Sequence, residues 1–160
     1  MTLQDFAPGS LSLPMDGSRK HFIIKNTIDC YRSVANGGFG TWTSGDTARL
    51  LELKEGWEVR NVWIRVVQLG TLAAALDKIG DSVTNDTCYM AGDCKIGSAG
   101  TIGMVYRGLV TDTNQALGGY TMLEDGYLLG TLKTANFDGI FEIAAEVVDV
   151  FGGNTIIAGT

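Results

Sequence analysis

The sequence predicts an all-β fold, namely an antiparallel β-sandwich of the jelly-roll type with about eight strands and an extended N-terminal arm. Residues 141–150 alternate between apolar and polar side chains, as a strand with one buried and one solvated face does. Similar β-rich runs recur along the chain, with clusters of Gly, Asn and Asp between them. The 22 glycines against only 2 prolines indicate many tight turns.

Length and composition fit one domain that follows the arm. We assign residues 1–20 to the arm and residues 21–160 to a single β-sandwich domain. A chain of 160 residues buries roughly 70% of its unfolded surface, enough for a core without disulfides or metals. The hydrophobic fraction of 45% is typical of a globular protein.

The first 20 residues differ from the rest because they hold both prolines and several Gly and Ser, without a sustained period. They fit either a disordered tail or an arm that packs on a neighbouring subunit. Four apolar side chains support the second interpretation, because an arm could bury them against a neighbouring subunit: Phe6, Leu11, Leu13 and Met15.

Strands in the first half of the chain are expected at residues 21–30, 47–54 and 58–69. A glycine-rich loop at 35–40 follows the first, and a Glu55-Gly56 turn separates the other two. Residues 71–79 have the Ala and Leu content of a helix, but their short length and the Gly-Asp that follows favour a strand.

The second half of the chain is expected to begin with a long loop, residues 80–100, rich in Asp, Asn, Gly and Ser. Further strands are predicted at residues 103–110, 120–123, 126–133 and 139–150. The Glu124-Asp125 turn would make a hairpin of the second and third of these. About eight strands is the jelly-roll count, with other β-sandwich topologies as the alternative.

The strand at 58–69 is apolar on both faces. Its core row is expected to hold Val62, Ile64 and Val66, with Arg60 and Gln68 at the ends of the same row. The opposite face carries Trp63 and Arg65 and is only half polar. Such a strand is central in its sheet or has its second face covered by a partner.

Charge excludes some classes of partner. The formal net charge is −6, and the 12 Lys and Arg residues are scattered, so we expect no binding to nucleic acid. No run reaches the about 20 apolar residues of a membrane-spanning helix, and no export signal is recognisable at the N-terminus. We therefore expect no membrane partner, and a protein made and kept in the cytoplasm or released by lysis.

No catalytic constellation is visible, so we predict that the chain is not an enzyme. His21, the single histidine, has no nucleophile signature nearby and fits a strand edge. Glu142 and Glu146 share one strand face, where solvated acids are ordinary, although their spacing does not exclude a glycosidase pair.

Neither a metal nor a cofactor is predicted. The odd count of 3 cysteines points to free thiols rather than zinc ligands. One loop gathers oxygen ligands that could suit calcium, but their spacing matches no calcium motif and turn chemistry explains them better: Asp81, Asn85, Asp86 and Asp93. The tryptophans could form a sugar-stacking surface, although core or interface packing is favoured: Trp42, Trp57 and Trp63.

Residues 59–150 resemble small structural proteins of tailed-bacteriophage virions. The elements that carry the resemblance come in the same order: the β-run at 59–67, the alanine-rich strand ending at Asp81, the Asn/Asp loop at 84–87, the Tyr127–Gly130 strand and the closing strand ending at Asp149. The chain looks like head decoration (cement) proteins. That resemblance implies a compact β domain, a trimer on the capsid exterior and no catalytic residues.

The resemblance implies a homotrimer that binds the major capsid protein on the outside of a phage head, assembled in the host cytoplasm. Interface residues are expected at Trp63, Arg65 and the arm, because interfaces are rich in aromatics and Arg. Deleting residues 1–20 is expected to weaken capsid binding without unfolding the domain. The alternative is a tail-associated or carbohydrate-binding β-module of a virion, with an exposed patch at Trp42 or Trp57.

Overall fold

The structure is a computed structural model, and it describes residues 3–7, 21–83, 90–107 and 121–150. Nine strands are present in these ranges: β1 Leu3–Asp5, β2 His21–Asp29, β3 Thr47–Leu53, β4 Trp57–Gln68, β5 Ala75–Asp81, β6 Met90–Lys95, β7 Val105–Arg107, β8 Gly126–Lys133 and β9 Ile140–Asp149. A single turn of 3-10 helix at Val34–Asn36 is the one helical element among them. None of the described residues lies in a helix long and apolar enough to cross a membrane.

The strands form two sheets, and their order confirms the predicted all-β sandwich. One sheet has the order β1-β3-β8-β5-β6 and the other β2-β9-β4-β7. Four antiparallel pairs, β2·β9, β3·β8, β4·β7 and β5·β6, each join a strand from the first half of the chain to one from the second half. Together they correspond to one long hairpin that turns between β5 and β6. The pairings β4·β9 and β5·β8 fold this hairpin into two layers, which is the jelly-roll arrangement.

The core lies between the two sheets and is built by alternating side chains. The predicted core face of the closing strand is confirmed, because Phe141, Ile143, Ala145 and Val147 are fully buried in β9. β9 lies between β2 and β4, so it is the strand around which the four-stranded sheet is assembled. The large core side chains also include Trp42, which is fully buried.

The core row of β4 is as predicted in its middle and different at its start. Val62, Ile64 and Val66 are buried, but Arg60 is exposed and Val59 takes the inward position instead. The register shifts between Val59 and Asn61 where β4 pairs with β9. A bulge of this kind adds one residue to the strand and reverses the faces beyond it, which strict alternation does not anticipate.

The prediction of one long loop at residues 80–100 is wrong. β6 Met90–Lys95 lies within it and pairs with β5, which runs on to Asp81. Asp and Gly lower the strand propensity of the β6 sequence. This segment is therefore a strand because it pairs with β5, and not because of its local sequence preference. The prediction of a strand rather than a helix at residues 71–79 is confirmed, although β5 begins only at Ala75.

The hairpin predicted across Glu124-Asp125 is also wrong. Thr121 forms a bridge with Glu58, and Met122 donates its backbone N–H to the carbonyl of Trp57 at 2.7 Å. The segment before the turn therefore joins the start of β4, while β8 pairs with β3 and β5. The predicted turn before β4 is present, and Gly56 has φ +85°, a conformation that favours glycine.

Candidate functional site

The outer face of the four-stranded sheet carries the candidate site. Inter-strand register places Lys25 of β2, Ala144 of β9, Trp63 of β4 and Arg107 of β7 in one row across the sheet. The four side chains share a face because residues directly opposite one another in neighbouring strands point to the same side of the sheet. Trp63 thus lies between two cations at the centre of an exposed sheet.

A groove of about 290 Å³ runs along this row. We call it the Trp63 groove and define it by its lining residues: Lys25, Trp63, Arg65, Val105, Arg107, Glu142 and Ala144. Its volume is at the lower limit of small-molecule sites, which measure roughly 300–1,000 Å³ and are mostly apolar. The groove is better suited to receive one or two side chains of a protein partner.

Cationic side chains outnumber carboxylates at the groove. Arg65 lies directly opposite Glu142 and pairs with it, its Nε donating to the carboxylate at 3.1 Å. Lys25 and Arg107 form no ion pair with any carboxylate in the part of the chain that the structure describes. The groove therefore presents net positive charge on a protein whose formal net charge is −6.

Exposed apolar side chains continue from the groove toward one end of the sheet. Val105 is 40% exposed in the groove wall, and Met104 before it is 44% exposed. Ile102 is 65% exposed in the adjoining turn, which is held to β4 by a hydrogen bond from Val66 N–H to the Met104 carbonyl at 3.0 Å. Apolar side chains gathered beside cations and a tryptophan are typical of protein interfaces.

A row of polar side chains joined by hydrogen bonds lies on the other side of the groove. The Asn61 amide donates to Glu146 at 2.7 Å, and the His21 ring lies 3.3 Å from the other oxygen of the same carboxylate. The hydrogen bonds from Asn61 and His21 hold the pKa of the Glu146 carboxyl below its usual value. Glu146 and His21 are thus held in surface contacts across three strands.

The interface residues predicted from the sequence fall in different places. Trp63 and Arg65 lie together on the outer face as predicted, with Trp63 half-buried and Arg65 exposed. Phe6 lies in the core of the same domain and is 4% exposed. Leu11, Leu13 and Met15 lie outside the described residues.

Sequence reasoning missed Lys25, Val105 and Arg107, which complete the groove. They come from β2 and β7, whose sequence positions are far from β4. Strand order alone brings the three strands together, so no local signal could have found this set.

The other candidate residues show no catalytic or metal-binding arrangement within the described ranges. Cys30 and Cys94 are buried, and burial raises the pKa of their thiols to about 12 and about 11, so the thiols stay protonated. Asp81 is buried and accepts the Val83 N–H at 2.9 Å, a turn contact. No cluster of three acidic, His or Cys side chains in the described ranges could hold a metal.

The tryptophans divide between core and surface. Trp42 is fully buried and Trp57 is 3% exposed, so neither can stack on a sugar at the surface. The aromatic patch that the carbohydrate-binding alternative required at these two positions is therefore absent from the described surface. Trp63 is the tryptophan that reaches the surface.

Comparison with known proteins defines the class of fold. No protein-family model matches the chain, and no curated protein matches it significantly. A chain in the capsid of Ralstonia phage GP4 is similar in structure, with a TM-score of 0.58 at 17% identity over 92% of this chain and 98% of that one. A chain in the capsid asymmetric unit of cyanophage Pam1 gives a TM-score of 0.56 at 16% identity, over 88% and 93%.

These likenesses establish a shared fold. The chain is a jelly-roll β-sandwich of a kind that also occurs among the chains of phage capsids. The likeness extends over nearly the whole of each neighbouring chain.

Proposed function

We propose that this protein is a virion structural protein, specifically a decoration (cement) protein that binds the outside of a phage head as a homotrimer and stabilises the shell. The observation that carries the proposal is the end-to-end structural likeness to two phage capsid chains. A single sandwich of this size suits a protein that is added to a shell built by another protein. In this role the chain is not an enzyme and needs no cofactor, nucleic acid or membrane.

The surface supports a binding role in assembly. The outer face combines a half-buried tryptophan, arginines and exposed apolar side chains, which are the residue types enriched in protein interfaces. Its partners in the proposal are other copies of this chain and the major capsid protein. The N-terminal arm, with Leu11, Leu13 and Met15, supplies a second contact.

Binding to phage heads tests the proposal. Purified protein is added to heads that lack it, the heads are sedimented, and the bound protein and the temperature of head rupture are measured. We expect saturable binding that raises the rupture temperature, and a trimer by light scattering. Binding to purified tails instead of heads would favour the tail-associated alternative and overturn the decoration role.

A variant pair links the binding to the outer face. Trp63→Ala is expected to weaken head binding by about tenfold or more, as truncation of an interface tryptophan does. Tyr31→Ala is the matched control, because Tyr31 is an aromatic residue 65% exposed in the loop after β2. Equal binding by the two variants would remove the outer face from the capsid contact.

A further inference from the structure

We propose that the Trp63 groove receives an acidic turn, residues 123–125, from a second copy of this chain, so that the copies associate head to tail. The inference deepens the homotrimer of the proposed function and rests on it.

Within the described residues, cations at the groove and acids at the turn are left without ion-pair partners. Lys25 and Arg107 at the groove have no carboxylate partner there, whereas most other cations do. Glu55 and Glu124 are exposed and form no ion pair with a described cation. These two acids belong to adjacent turns, since Glu55 N–H donates to the Asp125 carboxylate at 2.9 Å.

The acidic turn has the shape and chemistry that the groove needs. Leu123 is 78% exposed, the highest value among the exposed large hydrophobic residues of the described chain, and the exposed Glu124 follows it. Asp125, the next residue, lies 3.9 Å from the Lys54 ammonium of its own chain, so Glu124 and Glu55 supply the charge of the turn. The turn is fixed on its scaffold, because Gly56 N–H donates to the Met122 carbonyl at 2.8 Å. An apolar tip that is held by backbone hydrogen bonds and followed by a carboxylate loses little conformational freedom on binding.

The groove offers the complementary surface. Trp63 and Val105 form apolar walls for the Leu123 side chain, and Lys25 and Arg107 stand on opposite sides of Trp63 in the register. The Glu124 and Glu55 carboxylates that would enter with Leu123 would meet these cations. Charge complementarity of this kind fixes the orientation of two partners and raises their rate of association.

Turn and groove of one chain cannot meet. The acidic turn adjoins Trp57 at the start of β4, and Trp63 is six residues further along the same strand, about 20 Å away. The occupant must therefore come from another copy. Because the two contact surfaces differ, the interface is heterologous, and a closed ring such as a trimer satisfies every groove and every turn.

Charge reversal tests the contact by light scattering on a sizing column. Lys25→Glu/Arg107→Glu places acids in the groove, and Glu55→Lys/Glu124→Lys places bases on the turn. Each double variant is expected to lose the wild-type oligomer and run as a single chain at concentrations where the wild type is assembled. The chain with all four substitutions again has opposite charges at groove and turn, and we expect it to recover the wild-type mass.

The fourfold variant is also the control for net charge, since it keeps the formal net charge of −6. Circular dichroism and thermal melting establish that every variant is folded. A 1:1 mixture of the two double variants allows only contacts between unlike chains, which cannot close an odd-numbered ring, so we expect even-numbered species.

Several results would overturn the inference. They are a monomeric wild type at every concentration, double variants that keep the wild-type mass, and a fourfold variant that stays monomeric. If the groove variant keeps its mass but loses head binding, the groove contacts the shell, and the decoration role stands without the head-to-tail contact. If the charge-reversal pattern holds but wild-type protein does not bind heads, the contact stands and the decoration role fails.

Discussion

Phe6 meets Trp42 edge to face in the core, with ring centroids 5.5 Å apart and ring planes at 88°. The same Phe6 ring stacks on Phe39 at 4.5 Å. Both arrangements are favoured between aromatic rings. Phe6 follows β1, which pairs in parallel with β3, so this part of the N-terminal segment completes the sandwich core.

Replacing Phe6 by Ala is expected to lower the free energy of unfolding by about 3–5 kcal/mol, because it opens a cavity in a packed aromatic cluster. Urea denaturation followed by tryptophan fluorescence measures the change. Leu3→Ala is the matched control in the same segment, since Leu3 is 50% exposed, and it should stay within about 0.5 kcal/mol of the wild type. Equal stability of both variants would contradict the packing of Phe6.

The arm can be tested without disturbing this cluster. Deleting residues 1–20 would remove Phe6 as well, so that loss of folding and loss of binding would be confounded. We expect Leu11→Ser/Leu13→Ser/Met15→Ser to leave the melting temperature unchanged and to weaken head binding. The measurement is head sedimentation beside thermal melting, and full binding by this variant would remove the arm from the contact.

Arg65 and Glu142 form a cross-strand pair on the exposed sheet face. Pairs of this kind contribute about 0.2–1 kcal/mol. A double-mutant cycle with Arg65→Met and Glu142→Gln should give a coupling energy in that range at low salt and a smaller one in 1 M salt, where the Debye length is about 3 Å. A coupling that does not respond to salt would argue against an ionic contribution.

Asp29 is expected to make the fold sensitive to acid. Burial raises the pKa of this carboxyl, but hydrogen bonds from the Arg32 and Tyr31 backbone N–H groups and from the Arg32 side chain outweigh burial and leave the pKa below its usual value. An unfolded Asp has a pKa of about 3.9. The stabilisation is therefore complete above that pH and is lost as the pH falls through the folded-state pKa.

The measurement is the free energy of unfolding at pH 7, 5 and 3 for the wild type and Asp29→Asn. The variant should be less stable than the wild type at pH 7, because Asn cannot accept charge-assisted hydrogen bonds at both positions. The difference between the two proteins should shrink at pH 3. A constant difference across this range would show that Asp29 does not supply the acid sensitivity.

The sequence predicted the fold class and the faces of its two longest strands well. Period-2 alternation in β9 and in the middle of β4 is strong because one face of each is buried. The signal failed at Arg60, where a bulge changes the face, and in β6, where Asp and Gly hide a strand stabilised by pairing with β5. These features depend on neighbouring strands, which no local pattern contains.

The candidate site was only half predictable. Trp63 and Arg65 stand out locally, because a tryptophan on a mostly exposed strand face is unusual. Lys25 and Arg107 are ordinary surface cations in the sequence, and they matter only because β2 and β7 flank the same sheet. Likewise, only the folded structure shows that these two cations have no carboxylate partner among the described residues.

The position of β9 constrains how this chain acquires its structure during synthesis. β9 Ile140–Asp149 is the inner strand that pairs with both β2 and β4, so the four-stranded sheet cannot close until this segment has left the ribosome. Contacts so distant in sequence make folding slow. Until then β2 and β4 expose apolar faces and unpaired edges, so aggregation of the nascent chain would compete with folding.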